Sequence, residues 1–298
     1  MKKNGKRRKL QRYKCRDCAN QFQSERREKV ADEKRWDEYV WGKQTLAQIA
    51  SRAKHSYRWV RNRLDRIAVG LPAIAPQATV LIADTTFWGR AYGVCVFFSK
   101  ELKRAIWWHE VENERMAHYH YGRKILETAG WQFSAVVVDG RRGFINVFKG
   151  IPVQMCQFHQ MKQVTRYLTR RPDTDAGKEL RALILTLTDV DEKVFTDALT
   201  AWHTKWGAYI EEKTINSFVT GRQKWYYTHG RVRSAYRSIK NNLSYLFTYL
   251  IYPELDIPNT TNDLDGSFSA LKKKLAVHHG LRRDRRFKVI SQLLNGAR

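Results

Sequence analysis

The segment Ala78-Thr-Val-Leu-Ile-Ala-Asp84-Thr-Thr-Phe87 contains a short apolar run that ends at one carboxylate. The run is too short for an average helix and predicts a buried strand. A buried strand excludes charge, so Asp84 should lie where the strand leaves the core, and ligands bind at such carboxyl ends in open α/β sheets. The alternative is that Asp84 only caps a turn.

A second segment, Phe133-Ser-Ala-Val-Val-Val-Asp139-Gly140, is again a β-branched run that closes on an aspartate. Two buried strands that each deliver a carboxylate to the edge of a sheet predict a pair of convergent acids. Hard divalent cations take such oxygen ligands, and Mg²⁺ is held by one or two carboxylates together with substrate phosphates. The hypothesis is therefore a metal site for phosphate chemistry.

The net charge of the chain indicates a polyanionic partner. The 298 residues include 55 Lys and Arg against 29 Asp and Glu, which gives a formal charge of +26. Such an excess favours a nucleic acid, because each phosphate neutralised by Lys or Arg releases condensed counterions. Ribosomal and membrane-surface proteins share this balance, but they do not explain acids at strand ends.

The cysteines and the hydropathy pattern indicate the cellular compartment of the protein. Four cysteines, at positions 15, 18, 95 and 156, are too few and too unevenly spaced for a disulfide scaffold, and they favour a reducing environment. No apolar stretch follows the basic start of the sequence, and no run reaches the length of a membrane span. We expect a soluble, cytoplasmic protein with no membrane partner.

Residues 1–29 form a basic segment that contains Cys15 and Cys18. Cys-x₂-Cys among basic and aromatic residues is typical of one half of a zinc ribbon, whereas tetrahedral zinc needs four ligands. Three interpretations follow: the first half of the ribbon precedes this sequence, the other ligands come from elsewhere, or no Zn²⁺ binds.

Residues 30–70 have helical periodicity, and residues 44–64 have the outline of a helix-turn-helix. The second helix would direct three arginines at phosphates and base edges in a major groove: Arg58, Arg61 and Arg63. The alternative is an ordinary helical hairpin with a solvated basic face. Prolines at 72 and 76 predict a linker after this region.

Residues 77–160 change to short apolar runs, with helices predicted over 116–129 and 142–149. The predicted order is βββαβαβ, with Asp84 on the first strand and Asp139 at the end of the fourth. Residues 161–255 carry helical signals alone and predict an all-α insertion.

Residues 256–298 begin with a loop rich in N-cap residues and continue as an amphipathic helix. Asp265 lies at the start of this helix beside Leu264 on its apolar face, so its carboxylate is expected to join the other two acids. Asp263 points elsewhere on the helix and is the poorer choice.

Three acids in this order, with helices inserted before the last, resemble the layout of the RNase H-like DDE transposases. The chain resembles in particular the Mutator-type bacterial insertion-sequence transposases that carry an N-terminal zinc-binding segment. The motifs behind the resemblance are Tyr13–Cys18 with Phe22, Asp84–Phe87, Val138–Gly140, Cys156–His159, Thr261–Gly266 and His278–Leu281. The resemblance implies an α/β fold: an RNase H-like catalytic core with an inserted all-α subdomain, preceded by a partial zinc ribbon and a helix-turn-helix.

The resemblance also implies an enzyme, a DNA transposase that cleaves and joins the ends of an insertion sequence. Asp84, Asp139 and Asp265 would be catalytic and would hold two Mg²⁺ or Mn²⁺ ions, one activating water or a DNA 3′-hydroxyl and one stabilising the leaving oxygen. The partner would be double-stranded DNA, as transposon ends and target, and synapsis of two ends implies a homo-oligomer.

Two features depart from the family pattern. The family places Glu where this chain has Asp265, so the carboxylate here is one methylene shorter. The family's first cysteine pair, which would precede Cys15, is not present in this sequence. Zinc-assisted DNA binding would therefore lack two of its four expected ligands.

The resemblance assigns roles outside the acids as well. Cys156, His159 and His278 would be structural or positioning residues, and a zinc site at Cys156 and His159 is the alternative.

A basic and aromatic stretch of the helical insertion would contact DNA: Arg222, Trp225, His229 and Arg231. By resemblance, Trp225 would stack on an unpaired base near the cut, which suits an aromatic ring flanked by cations. The alternative is that Trp225 is buried in the core, as most Trp residues are.

Two other functions are compatible with this sequence. An RNase H-like nuclease or resolvase would use the same acids and metal without joining strands. A non-catalytic DNA-binding remnant of a transposase would bind DNA whether or not Mg²⁺ is present and would tolerate Asp84→Asn.

Overall fold

The computed structural model describes residues 1–7, 10–23, 26–141, 143–216 and 224–296. The chain divides into two compact units, residues 1–71 with 269–298 and residues 72–268. The strands are β1 (Lys2–Arg7), β2 (Leu10–Lys14), β3 (Gln21–Gln23), β4 (Ala78–Phe87), β5 (Gly93–Ser99), β6 (Arg104–Val111), β7 (Gln132–Val138), β8 (Val153–Met155), β9 (Lys213–Asn216) and β10 (Lys224–Tyr227). The helices are α1 (Arg26–Val40), α2 (Leu46–Ala53), α3 (Tyr57–Leu64), α4 (Met116–Thr128), α5 (Gly143–Val147), α6 (Gln157–Leu168), α7 (Asp175–Leu185), α8 (Glu192–Glu211), α9 (Gly230–Leu246), α10 (Thr248–Ile251), α11 (Asn262–Leu275) and α12 (Arg283–Asn295), with a 3₁₀ turn at Pro253–Leu255. In these described ranges, no helix combines the length and the hydropathy of a membrane span.

The first unit opens with an antiparallel sheet of order β1-β2-β3. Cys15 and Cys18 lie in the connection between β2 and β3, where the Cys15 amide donates a 2.9 Å hydrogen bond to the Asn20 carbonyl. The sequence indicated the cysteine pair but not the strands, because these strands are mostly polar and give no apolar alternation.

Two short, well-capped helices, α2 and α3, follow α1 in the region predicted to be helical. Thr45 and Gln48 form a capping box at the start of α2, and the Ser56 side chain accepts a hydrogen bond from the Trp59 amide at the start of α3. Lys54 ends α2 in the left-handed conformation, which makes the tight turn between the helices. Their buried faces consist of Leu46, Ile49, Ala50, Val60 and Leu64.

The C-terminal helix α12 belongs to the same unit and packs against α1. The Trp36 indole donates a 3.1 Å hydrogen bond to Gln292 Oε1, and both residues are buried. Arg285 donates two hydrogen bonds, of 2.8 and 2.6 Å, to the carboxylate of Asp65. This bidentate pair fixes α12 to the end of the helix pair.

The second unit is built on a mixed five-stranded sheet of order β6-β5-β4-β7-β8. β4, β5 and β6 are antiparallel neighbours, whereas β4, β7 and β8 run parallel. The predicted order βββαβαβ is therefore confirmed, and the first and fourth strands of this sheet lie side by side.

The strand β4 continues three residues past Asp84, to Phe87, but its unbroken run of buried residues ends at Ala83, so Asp84 lies where the buried run ends, as predicted. Asp84 still pairs with Val96 of β5, and this pairing runs on to Phe87. Pairing with β7 stops earlier, at Ile82 and Val137. Asp84 is thus beyond the last parallel pair, on the edge where β7 delivers Asp139.

Helices α4 and α5 and the sheet share a core with many aromatic rings. The Tyr119 ring lies 4.6 Å from that of Phe144, and both side chains are fully buried. A Cβ at Gly122 would lie 2.6 Å from the Trp107 ring, so only glycine lets α4 approach β6 this closely. This packing holds α4, and the loop before it, against the strands that carry the acids.

The helices α6 to α9 enclose a second core, with Val164, Leu180, Phe195, Trp202, Ala235 and Ile239 among its buried residues. The expectation of an all-α insertion was wrong, because β9 and β10 form an antiparallel hairpin inside it. Each strand has only four residues, Lys-Thr-Ile-Asn and Lys-Trp-Tyr-Tyr. Because the segments on both sides have helical periodicity, such short β-branched and aromatic runs were not predicted to be strands.

Candidate functional site

Three side chains of the second unit meet at the edge of the sheet: Asp84 of β4, His159 of α6 and Asp265 of α11. One potential ligand atom from each residue lies within 4.8 Å of the other two. In the parts of the chain that the structure describes, no other group of three or more His, Cys, Asp or Glu residues has metal-binding geometry. The meeting of Asp84 and Asp265 was predicted from sequence, whereas His159 was assigned a structural or positioning role, with a zinc site at Cys156 and His159 as the alternative.

The Cys-x-x-His motif reaches the site because α6 begins directly at the sheet. The Cys156 amide donates a 2.8 Å hydrogen bond to the Val138 carbonyl at the end of β7. Cys156 is fully buried and occupies the N-cap position of α6, which places His159 in the first turn of the helix. The motif is thus attached to the strand that leads to Asp139.

Thr261 connects this motif to the third acid. Its amide donates to Cys156 Sγ at 3.3 Å, and its hydroxyl lies 3.1 Å from Asp265 Oδ2 and 3.4 Å from His159 Nδ1. Its carbonyl accepts the Asp265 amide at 2.9 Å. Thr261 is fully buried, so it fixes Asp265 and His159 relative to each other. Sequence reasoning gave it no role, because a threonine before a helix usually serves as a cap.

Burial dominates the electrostatics of Asp84. Desolvation raises the pKa of Asp84 to about 7, the charges of Asp139 and Glu114 add to the rise, and His159 and a 2.7 Å hydrogen bond from the Thr85 amide oppose it. With a pKa of about 7, the Asp84 carboxyl group is only about half ionised at neutral pH. A cation bound beside it would stabilise its charged form.

His159 supplies positive charge in this arrangement. Its hydrogen bond with Cys156 raises the pKa of His159 to about 9, and the carboxylates of Asp84 and Asp265 contribute to the rise. Burial opposes ionisation of Cys156, but hydrogen bonds with His159 and Thr261 lower the pKa of its thiol overall. Cys156 and His159 thus form a hydrogen-bonded pair behind the two acids.

Asp139 lies near this cluster but faces an arginine. Its Oδ1 accepts a 3.1 Å hydrogen bond from the Arg141 amide, and its Oδ2 is 3.2 Å from Arg141 Nε. Arg141 also bonds to Glu114 at 2.7 Å. Burial raises the pKa of Asp139, and its charge acts on Asp84. Asp139, the second of the three predicted acids, is therefore outside the group of Asp84, His159 and Asp265, although it lies within electrostatic reach of it and is paired with a cation.

Glu114 is a fourth acid that the sequence did not single out. Its side chain is 10% exposed, it accepts a 2.8 Å hydrogen bond from the Tyr119 hydroxyl, and burial raises its pKa. The signal was present as Glu110-Val-Glu-Asn-Glu114, which spans the end of β6, but acidic runs at the end of a strand are usually solvated.

The donor set of the cluster fits a divalent cation. Ligands of one ion lie at most about 4.4 Å apart, twice a bond of about 2.2 Å, so the observed 4.8 Å limit is nearly that of a coordinated set. Carboxylates suit Mg²⁺ and Mn²⁺. The raised pKa of His159, about 9, keeps its ring protonated at neutral pH, so His159 would have to lose that proton to become a ligand, and a neutral imidazole suits Mn²⁺ and heavier transition ions better than Mg²⁺. Asp84 and Asp265 are the residues best placed to hold such an ion, with His159 beside them.

The arginines predicted to contact DNA in α3 differ in their environments. Arg58 is exposed and Arg61 is half-buried. Arg63 bonds to Asp32 at 2.8 Å, and its guanidinium lies over the Trp59 ring. Arg63 is thus engaged inside the first unit, whereas Arg58 is open to solvent.

Trp225 lies on β10 and is 52% exposed, so the alternative of a buried core position is wrong. Lys213 Nζ lies 4.2 Å from the centre of its ring. His229 stacks on Tyr209 at 3.6 Å and bonds to Glu212 at 3.0 Å, while Arg231 is exposed. Arg222 lies outside the described residues.

The remaining predicted residues lie in the first unit. Across the described ranges, no third His, Cys, Asp or Glu joins Cys15 and Cys18 in a metal-binding group. His278 is buried, and its ring lies 4.1 Å from that of Tyr39. His278 therefore has a packing role within that unit.

No model of a protein family matches the chain, and no curated protein matches it at a significant level. The chemistry open to this site follows from its residues and their geometry.

Proposed function

We propose that the chain is a DNA transposase of the DDE type, with Asp84, Asp139 and Asp265 as its acids on an RNase H-like core that carries an inserted helical subdomain. The observation that supports this most directly is the meeting of Asp84 and Asp265 with His159 within 4.8 Å. Carboxyl groups with pKa values perturbed by burial are typical of functional sites, and two carboxylates that converge at a strand edge can hold a divalent cation.

A bound Mg²⁺ or Mn²⁺ would supply Lewis-acid stabilisation of a phosphate and an activated hydroxyl nucleophile. Asp84 and Asp265 would hold it, and Asp139 would join them once Arg141 releases its carboxylate. Thr261 fixes the rotamer of Asp265 through the 3.1 Å contact with Oδ2. Cys156 fixes the ring of His159 from behind, so that the imidazole stays beside both acids.

Duplex DNA is the proposed substrate, both as element ends and as target. The charge of +26 supports a polyanionic partner. Arg58 and Arg61 on the capped helix α3 would contact the ends, as in a helix-turn-helix. The exposed ring of Trp225, with Lys213 above it, would stack on an unpaired base. Pairing of two ends would require a homo-oligomer.

The test is a supercoiled plasmid that carries candidate element ends, incubated with the full chain and Mg²⁺ or Mn²⁺. We expect nicked or linear plasmid and joined products with the natural chain, and neither with Asp84→Asn. Nicking without joined product would assign a nuclease or resolvase instead. Metal-independent DNA binding with no cleavage by either protein would contradict the enzyme and favour a non-catalytic remnant.

A further inference from the structure

A cleft of about 790 Å³ lies between α6 and α9 and begins at Asp139 and His159, the second of which also belongs to the cluster with Asp84 and Asp265. Asp139 and His159 line one end of it. Beyond them its lining is strongly basic, with Arg141, Lys162, Arg166, Arg233 and Arg237. Among the described residues that line the cleft, Asp139 is the one carboxylate, so the cleft suits an anion that extends towards the acid cluster.

The cations line the cleft because of helical periodicity. His159, Lys162, Gln163 and Arg166 recur at i, i+3, i+4 and i+7 on α6, which places them on one face. On α9, Arg233, Arg237 and Asn241 recur every four residues. At about 1.5 Å per residue, the row on α6 extends about 10 Å from His159. A chain of phosphates can therefore follow these rows to the acids.

The charges in the cleft are not equally available. Arg233 bonds to Glu211 at 3.1 Å and lies over the Tyr227 ring. Arg166 and Arg237 are exposed and have no carboxylate within 4 Å among the residues that the structure describes. These two arginines, one on each wall, are the cations that a ligand would neutralise.

The floor of the cleft is a buried network of amides. Asn242 Nδ2 donates to Gln160 Oε1 at 2.8 Å, and Gln160 Nε2 donates to Ser238 Oγ at 3.2 Å, which joins α6 to α9. Asn242 also reaches the carbonyl of Gly140, next to Asp139, at 3.5 Å. The two walls are thus fixed to each other and to the loop that carries the acid, so the cleft is preorganised.

The spacing of the walls limits the size of the ligand. Packed helices have axes about 8–10 Å apart, whereas the major groove of duplex DNA alone is about 12 Å wide. A duplex is too wide to enter a groove between two packed helices. A single extended strand is narrower than a duplex, so the spacing of the walls favours it, and the arginines, Gln163 and Asn241 supply polar groups for its phosphates and bases.

We propose that this cleft binds the backbone of one unpaired DNA strand that leads to the reacting phosphate, with Arg166 and Arg237 contacting its phosphates. The inference rests on the proposed function, because it takes the acids at the end of the cleft as the reacting centre. The strand next to the cut would accordingly be separated from its complement while it lies in the site.

The experiment measures the affinity of the full chain for a fluorescent oligonucleotide of about 12 nucleotides, single-stranded or annealed to its complement, as a function of salt. The variant is Arg166→Gln with Arg237→Gln. The matched control is Arg170→Gln with Lys240→Gln, two exposed cations next to these positions that do not line the cleft. Arg166→Lys with Arg237→Lys keeps the charge.

We expect the variant to bind the single strand about tenfold more weakly. Its log–log salt slope should fall by about 1.4, because each phosphate that the protein no longer neutralises lowers the slope by about 0.7. The control and the double Lys variant should bind within about twofold of the natural chain, and duplex affinity should change little. An equal loss of affinity in the control, or an equal loss of duplex affinity, would overturn the inference.

The two proposals fail in different ways. Suppose that plasmid cleavage depends on Asp84 and yet the double Gln variant binds the single strand normally. The proposed role of the cleft is then wrong, and the proposed transposase function is unaffected. If the Gln variant loses strand affinity while the natural chain never cleaves, the cleft stands as a binding site and the proposed function fails.

Discussion

The acid cluster and the basic cleft both include residues of helix α6, but their charged side chains differ in how far they are exposed to solvent. In the cluster, Asp84 is largely desolvated, and its pKa rises to about 7. In the cleft, Arg166 and Arg237 are exposed to solvent. Burial makes each charge in the cluster depend strongly on its neighbours, whereas salt screens the exposed charges of the cleft. The cluster is therefore suited to chemistry and the cleft to reversible binding.

The largest effect should come from removing an acid of the cluster. Asp265→Asn should lower metal-dependent cleavage of the plasmid about a thousandfold or more, because the missing ligand removes several kcal/mol of charge stabilisation. Asp263→Asn is the matched control, since Asp263 is exposed in the same helical turn, and it should be nearly silent. Asp265→Glu introduces the residue of the family that the sequence resembles and should keep or raise activity. Normal cleavage by Asp265→Asn would remove this residue from the site.

The pH dependence of Mn²⁺ binding should reveal the buried acid. Burial raises the pKa of Asp84, so below about pH 7 its neutral form dominates and the cation must displace a proton. Mn²⁺ affinity should therefore fall by about tenfold per pH unit below 7. Isothermal titration between pH 5.5 and 8 measures it. A flat response across this range would mean that an ordinary, solvated carboxylate binds the ion.

Arg141 contacts both regions, and its removal should give a smaller effect of opposite sign. Its guanidinium is held by Asp139 and Glu114, so it competes with a cation for Asp139. Arg141→Ala should raise Mn²⁺ affinity several-fold. Arg166→Ala removes a charge farther along the cleft and is the control, with little expected change. Equal gains in both variants would indicate a general charge effect and no competition at Asp139.

The smallest effect concerns an exposed aromatic residue. Trp225→Ala should change the free energy of unfolding by about 0.5 kcal/mol or less, because its side chain is half-exposed. Trp202→Ala removes a buried ring from the helical core and should cost about 3–5 kcal/mol. Urea unfolding of both variants makes the comparison. A large loss of stability in Trp225→Ala would mean that this ring has a packing role.

The sheet and two of its acids could be predicted because their signals are local. Apolar runs that end in Asp84 and Asp139 specify buried strands and the residues at their ends. The short hairpin at 213–216 and 224–227 and the polar N-terminal sheet contain no long apolar run, so their strands were not predicted from the sequence.

The partners inside the site depend on contacts between distant segments. Thr261 reaches Cys156, and Glu114 reaches Arg141, only after the chain has folded. Arg63 resembled a free DNA-binding cation, but its partner Asp32 lies on another helix. Periodicity identifies which face of an element is buried, and it does not identify which polar groups meet there.

The central claim is that Asp84 and Asp265 form a divalent cation site, and Mn²⁺ titration followed by electron paramagnetic resonance tests it most directly. At pH 8 the natural chain and Asp263→Asn should bind Mn²⁺ with the same affinity, whereas Asp84→Asn and Asp265→Asn should each lose that binding. Binding that is unchanged in Asp84→Asn and Asp265→Asn, or absent from the natural chain, would contradict the claim.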